Sequence, residues 1–383
     1  MTTAPPRERR AHQRTGLRTV RAAGLGVLAF TGTAALLLLA SSLAAPGWSR
    51  APVLDPPDTV PVADLGLTTP PTGGFTVTSD VVAPTGADAW LALPDDGADV
   101  ALVLQPGAGA ADRDRMREVA EHLAALGIAA LTYDKRDTGP SPLTRDYPAL
   151  TADLAAAVDH LRERTGAGHV GILSVSEGGW LAPAAARLTD VDLLILAVAP
   201  TVTPLEQVSW IADARIDGAP DWVRRIPATA LASGRDRFDY TDTVPVPDLA
   251  ALDVPVLGLW GAEDGIVPVT EAVRRSRAAL DGHLVAVSLP GVGHELPPEA
   301  LDLAAAWLAA GAPTPDDGGA DAPEALLHGA APSRLLGVAE LPDARWFMHP
   351  LLHLAVSALV TTLVVRRALG HHALPLPLRR ARS

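Results

Sequence analysis

Residues 171–180 constrain the fold of this chain more than any other stretch. They read Gly-Ile-Leu-Ser-Val-Ser-Glu-Gly-Gly-Trp and join a short apolar run to a helix-compatible segment. A serine at the apex of a sharp strand-to-helix turn needs small residues two positions before and after it, because the crossing backbones would otherwise collide. Ser174 and Gly178 fill those positions around Ser176. The pattern predicts a nucleophilic serine, although an ordinary Gly/Ser turn is the alternative.

A serine hydroxyl is a poor nucleophile by itself and needs a histidine base that a carboxylate orients. In this arrangement the chain order is Ser, Asp, His. Asp264 and His294 follow in that order, each on a glycine-containing loop directly after a short apolar run. We therefore predict a triad of Ser176, Asp264 and His294, with the adjacent Glu263 as the alternative acid.

Two backbone N–H groups are candidates for binding an oxyanion formed at Ser176. The turn points the N–H of Glu177 and the positive end of the following helix at that oxyanion. The glycine-bearing loop 105–114 follows a buried apolar run and could supply a second donor. Pro106 has no N–H, so Ala108 is the predicted donor. An ordinary strand-to-helix connection is the other interpretation of this loop.

Short apolar runs alternate with helical stretches between residues 75 and 310. This alternation predicts an α/β domain with a doubly wound, mostly parallel sheet. A β-hairpin is predicted at the start of this domain. Ligands bind beyond the carboxyl ends of the strands in such sheets. The connection 199–253 is too long for a simple loop, so we expect a small cap there. Its aromatic residues either line an apolar pocket or form the core of the cap.

The chain has two uncharged apolar runs, 22–45 and 346–365. Each has at least the roughly 20 residues that a helix needs to span the core of a bilayer. Six Arg against one Glu lie in residues 1–21, and five Arg without an acid lie in 366–383. Positive flanks stay in the cytoplasm, which predicts two transmembrane helices, two cytoplasmic basic tails and an extracytoplasmic domain.

Both membrane assignments have an alternative. The first run could be a cleaved secretory signal, and the second could be a buried amphipathic helix. Proline-rich segments 46–74 and 311–345 separate the runs from the domain and are predicted to be linkers.

Composition excludes several function classes. The chain has no cysteine, so a disulfide framework, a cysteine metal site and a thiol nucleophile are impossible. The net charge of −13 does not favour nucleic acid as a partner. The predicted triad calls for no metal and no cofactor. His349 and His353 share a helical face, and a metal or proton role for them is the less favoured interpretation beside simple placement near an interface.

Three motifs together resemble the α/β-hydrolase family over residues 75–310, and most closely bacterial esterases and lipase-like or peptidase-like hydrolases. They are Gly-Ala-Gly-Ala-Ala-Asp-Arg-Asp at 107–114, Tyr-Asp-Lys-Arg at 133–136 and Ser-Glu-Gly-Gly at 176–179. The resemblance implies Ser176 as nucleophile, Asp264 as acid and His294 as base. The chain has Pro106 where such relatives usually have His.

Together these features predict a membrane-anchored, extracytoplasmic serine hydrolase that cleaves ester-like acyl bonds through an acyl-enzyme. Its expected substrate is a small-molecule or lipid-like ester. A peptidase or an acyltransferase could use the same triad, and a non-catalytic binding module could retain the fold.

Overall fold

A computed structural model of the chain describes residues 6–137, 145–235, 243–314 and 327–369. Most of the predicted tail 366–383, the first residues of the predicted tail 1–21, and parts of the predicted cap and second linker lie outside the described residues. The strands are β1 (Thr59–Val60), β2 (Phe75–Val82), β3 (Ala87–Pro94), β4 (Val100–Gln105), β5 (Ala129–Tyr133), β6 (His169–Val175), β7 (Leu193–Ala197), β8 (Val256–Gly261), β9 (Leu284–Leu289) and β10 (Leu327–Gly329).

The described α-helices connect these strands and extend the chain at both ends. They are α1 (Pro6–Ala44), α2 (Arg117–Ala125), α3 (Tyr147–Thr165), α4 (Gly178–Ala185), α5 (Pro204–Arg215), α6 (Asp221–Gly234), α7 (Val246–Leu249), α8 (Val269–Leu280), α9 (Pro298–Ala309) and α10 (Pro350–Ala368).

The ten strands of the described residues belong to one sheet in the order β1-β10-β9-β8-β7-β6-β4-β5-β3-β2. The β2–β3 and β3–β5 pairs are antiparallel, and the other neighbours are parallel. Strands β4 to β9 read as continuous apolar runs because helices cover both faces of the sheet. The predicted hairpin and the predicted doubly wound, mostly parallel sheet are both confirmed.

Two apolar layers form the core, one on each face of the sheet. On one face, α3, α4 and α8 contribute Leu154, Leu181 and Val273. On the other, α2 and α9 contribute Leu123 and Trp307. These five side chains are at most 2% exposed, which indicates close packing of both layers. The two layers hold the strands in register, and the register fixes where the loops at their ends lie.

The segments predicted as linkers differ from simple tethers. Within them, β1 pairs with β10, and β10 pairs with β9, so both add to the edge of the sheet. Leu327 is fully buried, and Val62 and Leu65 pack against an apolar layer. Strands of two and three residues are too short to show an alternating pattern in sequence, so the sequence does not predict them.

Contacts divide the chain into two units, and the sheet lies in the larger one (Ser49–Asp217 and Asp236–Glu340). The smaller unit consists of Met1–Trp48, Gly218–Arg235 and Leu341–Ser383. It therefore contains α6, which comes from the middle of the segment predicted as a cap. Ala232 of this helix packs against Ala45 and Met348 in a small apolar cluster.

The helices α1 and α10 pack against each other in the smaller unit. Segments Thr19–Ala44 and Pro350–Ala368 are each long and apolar enough to span a membrane. An added Cβ on Gly26 would lie 2.8 Å from a methyl of Val365, so the two helices approach closely there.

The two histidines of the second apolar run take part in hydrogen bonds of this unit. His353 Nε2 lies 3.0 Å from Ser41 Oγ and 2.8 Å from the carbonyl oxygen of Phe347. His349 Nδ1 accepts from the N–H of Leu351 and so caps α10. Within the described residues no cluster of three or more His, Cys, Asp or Glu could hold a metal ion.

We expect Gly329→Ala to destabilise the larger unit by about 1–2 kcal/mol or more, because a side chain there is strained at a positive φ. Gly329 has φ +102°, and an added Cβ would overlap the carbonyl oxygen of Ser288 in β9. Gly73→Ala is the control, since that Cβ meets nothing within 4 Å. Denaturant unfolding in detergent measures the difference. Equal stability of the two variants would contradict the pairing of β10 with β9.

Candidate active site

The turn after β6 holds Ser176 in a strained conformation. Its φ is +52°, in the left-handed region that L-residues other than Gly, Asn and Asp seldom adopt. Gly178 begins α4, and an added Cβ there would lie 2.9 Å from the Cβ of Ser174 and 3.0 Å from Gln105 Cγ. Ser174 is fully buried beneath the turn. These contacts explain why both flanking positions are small.

Asp264 lies in the loop that follows β8 and is 2% exposed. Its Oδ1 accepts the N–H groups of Ile266 at 2.7 Å and Val267 at 2.9 Å, which fixes the carboxylate. Its Oδ2 lies 2.8 Å from Nδ1 of His294. Glu263, the alternative acid, occupies an exposed position.

His294 bridges the acid and the serine. Its Nε2 lies 2.9 Å from Ser176 Oγ, across 118 positions of sequence. Because an ionised carboxylate can only accept, Asp264 selects the tautomer with the proton on Nδ1 and leaves Nε2 free to accept from the hydroxyl. The structure thus brings together Ser176, His294 and Asp264 in the geometry that general-base activation of a hydroxyl requires.

The loop that carries His294 is fixed by backbone contacts to the end of β8. The N–H of Ala262 donates to the carbonyl of Leu289 at 2.9 Å, and the N–H of Glu263 donates to that of Val292 at 2.9 Å. The loop passes so close to Gly261 that an added Cβ would overlap the carbonyl oxygens of Val292 and Gly293. A glycine at this position lets the imidazole reach Ser176.

The loop predicted to supply an oxyanion donor passes beside the serine. An added Cβ on Gly107 would lie 3.3 Å from the Cβ of Ser176. The next residue is Ala108, the predicted donor. Among the described residues, the N–H groups of Ala108 and Glu177 donate to no acceptor, so both remain available to a ligand.

A buried ionic cluster lies beneath the turn, and sequence reasoning gave it no role. Glu177 Oε2 accepts from Lys135 Nζ at 2.5 Å, and Oε1 lies 3.0 Å from Arg145 Nε. The Tyr147 hydroxyl donates to the same Oε1 at 3.3 Å. Lys135 Nζ also donates to the carbonyl of Gly107 at 2.8 Å. The available signal was Lys135 in the Tyr-Asp-Lys-Arg motif together with an acid directly after the serine.

Burial shifts the pKa values of two groups in and beside this cluster. Burial lowers the pKa of Lys135 below its usual value, and the neighbouring Glu177 carboxylate opposes part of that effect. Burial also raises the pKa of Tyr133, whose hydroxyl donates to Gln105 Oε1 at 2.6 Å. The Tyr133 phenol therefore remains a neutral donor beneath the loop that carries Gly107.

Comparison with known proteins gives distant relatives. No family model matches the chain. The uncharacterized protein Rv2307c of Mycobacterium tuberculosis is 26% identical over 244 residues, which cover 61% of this chain and 80% of that protein. The structure of TT1662 from Thermus thermophilus is 16% identical in sequence, and its match covers 61% of this chain and 98% of the TT1662 chain with a TM-score of 0.46. The carboxylesterase EstE1, cloned from a metagenomic library, is 19% identical, and its match covers 65% of this chain and 92% of the EstE1 chain with a TM-score of 0.47.

We expect Gly261→Ala to displace the loop that carries His294 and to lower kcat/KM for an ester, the substrate class that the sequence predicts, by about 10²-fold, the usual effect of a misplacement of about 1 Å. Gly293→Ala is the matched control, because it adds the same methyl within that loop where nothing lies within 4 Å. Steady-state assays of both variants, with unfolding curves, check the expectation. If both variants lose the same activity, the contact at Gly261 does not position the histidine.

Proposed function

We propose that this chain, an α/β-hydrolase fold with a serine at its strand-to-helix turn, is a serine hydrolase of carboxylic ester-like acyl bonds. The observation that carries the proposal is the continuous hydrogen-bonded relay from Asp264 through His294 to Ser176, with heavy-atom distances of 2.8 and 2.9 Å. A relay of this kind, beside two N–H groups that donate to no acceptor in the described part of the chain, is suited to acyl transfer through a tetrahedral intermediate.

The mechanism follows from the roles that each group can take. Ser176 Oγ attacks the carbonyl carbon while His294 Nε2 accepts its proton, and the Asp264 carboxylate stabilises the imidazolium. The N–H groups of Glu177 and Ala108 bind the oxyanion. His294 then donates its proton to the leaving alkoxide, which departs as an alcohol and leaves an acyl-enzyme. Water, deprotonated by the same imidazole, hydrolyses that ester and regenerates Ser176.

The proposal includes membrane anchoring through α1 and α10. Their apolar side chains are largely exposed, as expected of surfaces that face lipid, and Leu36 and Leu359 are examples at 68% and 60% exposure. Trp346 precedes α10 and is 79% exposed, and Trp48 follows α1, which is consistent with an interfacial aromatic belt. The basic tails favour cytoplasmic termini and an extracytoplasmic hydrolase domain.

The substrate class that fits this proposal is a small-molecule or lipid-like ester, and the chemistry requires no metal and no cofactor. A peptidase or an acyltransferase would use the same relay with another acyl donor or acceptor. Product analysis with and without added alcohol or amine acceptors separates transfer from hydrolysis.

We expect Ser176→Ala to abolish labelling by a fluorophosphonate probe and to lower hydrolysis of short-chain aryl esters by about 10⁴-fold or more, because the nucleophile is removed. Ser174→Ala is the matched control, since it removes a hydroxyl from the same turn whose one hydrogen bond, to the carbonyl of Ile195, is long at 3.5 Å. Gel fluorescence and initial rates measure both. Undiminished labelling of the Ser176 variant would refute the assignment.

The absence of native cysteines allows a clean test of topology. A single cysteine at Asp96, an exposed loop position of the larger unit, is expected to react with a membrane-impermeant maleimide in intact cells. A single cysteine at Ser383 is expected to react only after permeabilisation, because the basic tail stays inside. Reaction at Ser383 in intact cells, with protection at Asp96, would reverse the proposed orientation.

A further inference from the structure

We propose that Lys135 is a positioning residue that orients the Ala108 N–H donor of the oxyanion site and offsets the charge of the Glu177 carboxylate beside it, an inference that rests on the proposed hydrolase function. Lys135 is 5% exposed and lies just after β5, at the carboxyl edge of the sheet. Its ammonium group donates to the Gly107 carbonyl at 2.8 Å and to Glu177 Oε2 at 2.5 Å. One side chain therefore connects the residue before one proposed donor to the residue that carries the other.

The contact with Gly107 fixes the direction of the Ala108 N–H. The carbonyl of Gly107 and the N–H of Ala108 belong to one planar, trans peptide unit, so the two groups point in opposite directions. A hydrogen bond that holds the carbonyl toward Lys135 therefore turns the N–H away from Lys135. Gly107 lies against Ser176, and this peptide unit is consequently adjacent to the reacting centre.

Such a restraint is needed because glycines lie on both sides of Ala108, and one of them, Gly107, forms one end of this peptide unit. Gly107 precedes Ala108, and Gly109 follows it with φ +98°. Glycine adopts many backbone conformations at little cost, so the peptide could rotate and present its carbonyl instead of its N–H to the reacting centre. A carbonyl oxygen in that place would repel an oxyanion. The ammonium group of Lys135 favours the productive orientation.

Lys135 also balances the charge next to the serine. The Glu177 side chain is 3% exposed, and an isolated buried carboxylate there would oppose a developing oxyanion. Lys135 and Arg145 place two cations against this one carboxylate. The local excess of positive charge favours negative charge on the substrate oxygen, as an oxyanion site requires.

The composition of the chain points to a specific requirement for lysine here. Lys135 is the only lysine among 31 Lys and Arg residues. An ammonium group is compact and directs three donors tetrahedrally, whereas a guanidinium group is a wide planar fork. The tetrahedral ammonium group of Lys135 can therefore donate to two acceptors on different segments, the Gly107 carbonyl and the Glu177 carboxylate, within a buried space. Elsewhere the chain uses arginine for its cations.

We expect Lys135→Met, which keeps the length of the side chain and removes its donors, to lower kcat for an aryl ester by about 10²-fold, the usual loss for one misdirected oxyanion donor. KM should change by less than about threefold, since ground-state binding does not use these donors. Inhibition by an aryl trifluoromethyl ketone, whose adduct carries an oxyanion, should weaken by the same factor as kcat/KM. Lys135→Arg should not restore kcat.

Arg136→Met is the matched control. Arg136 neighbours Lys135 and forms an ion pair with Asp153 of α3 at 2.6 Å, and its side chain is half exposed. This variant should retain wild-type kcat and inhibition by the ketone. If Lys135→Met keeps kcat and ketone affinity as well, Lys135 has only a structural role and the inference is wrong.

Removal of Lys135 leaves a buried carboxylate with one cation fewer, and the variant could unfold for that reason alone. The double variant Lys135→Met/Glu177→Gln removes both charges of the Lys135–Glu177 pair and leaves Arg145 without its carboxylate, so unfolding curves of both variants accompany the assays. The Gly107 carbonyl of the double variant still lacks the donor. Its kcat should therefore remain low, and wild-type kcat in a folded double variant would overturn the inference. Absence of fluorophosphonate labelling in the wild-type protein would instead refute the hydrolase function itself.

Discussion

The site depends on the register of a parallel sheet. Ser176, Asp264 and His294 lie on the loops after β6, β8 and β9, and parallel strands bring their carboxyl ends to one edge. The pairing runs from Val175 to Ala197 across β6 and β7, and from Gly261 to Leu289 across β8 and β9. A hydrogen bond across more than a hundred positions of sequence is therefore a consequence of strand alignment. The apolar layers that fix this alignment thus also fix the geometry of the relay.

The same edge must hold a strained residue in place. A non-glycine residue in the left-handed region costs on the order of 1–2 kcal/mol, and Ser176 is such a residue. Its N–H donates to the carbonyl of Ala197 at 2.9 Å, and its own carbonyl accepts from Gly179 at 2.8 Å. These bonds secure the turn from β7 on one side and from α4 on the other. Strain at the serine is consequently offset by contacts outside the relay.

Sequence predicted those parts of the molecule whose signals are local. The buried strands β4 to β9 were predictable as apolar runs, and the doubly wound, mostly parallel sheet that they predict is confirmed. The strands β1 and β10 were not predictable, because two or three residues carry no periodicity. The catalytic roles of Ser176, Asp264 and His294 remain predictions, although the structure brings these side chains together. Nothing local in the sequence indicated that α6 belongs to the unit of the two apolar helices.

The two halves of the site are held by different kinds of interaction. Backbone contacts around Gly261 fix the His294 loop, so its position follows from the fold alone. The opposite loop has Pro106, which has no N–H to donate. Its peptide orientation depends on the side chain of Lys135, a partner that only the tertiary structure supplies. A residue that contacts two segments in this way cannot be inferred from the sequence of either segment, because its contacts depend on how the fold places the two segments relative to each other.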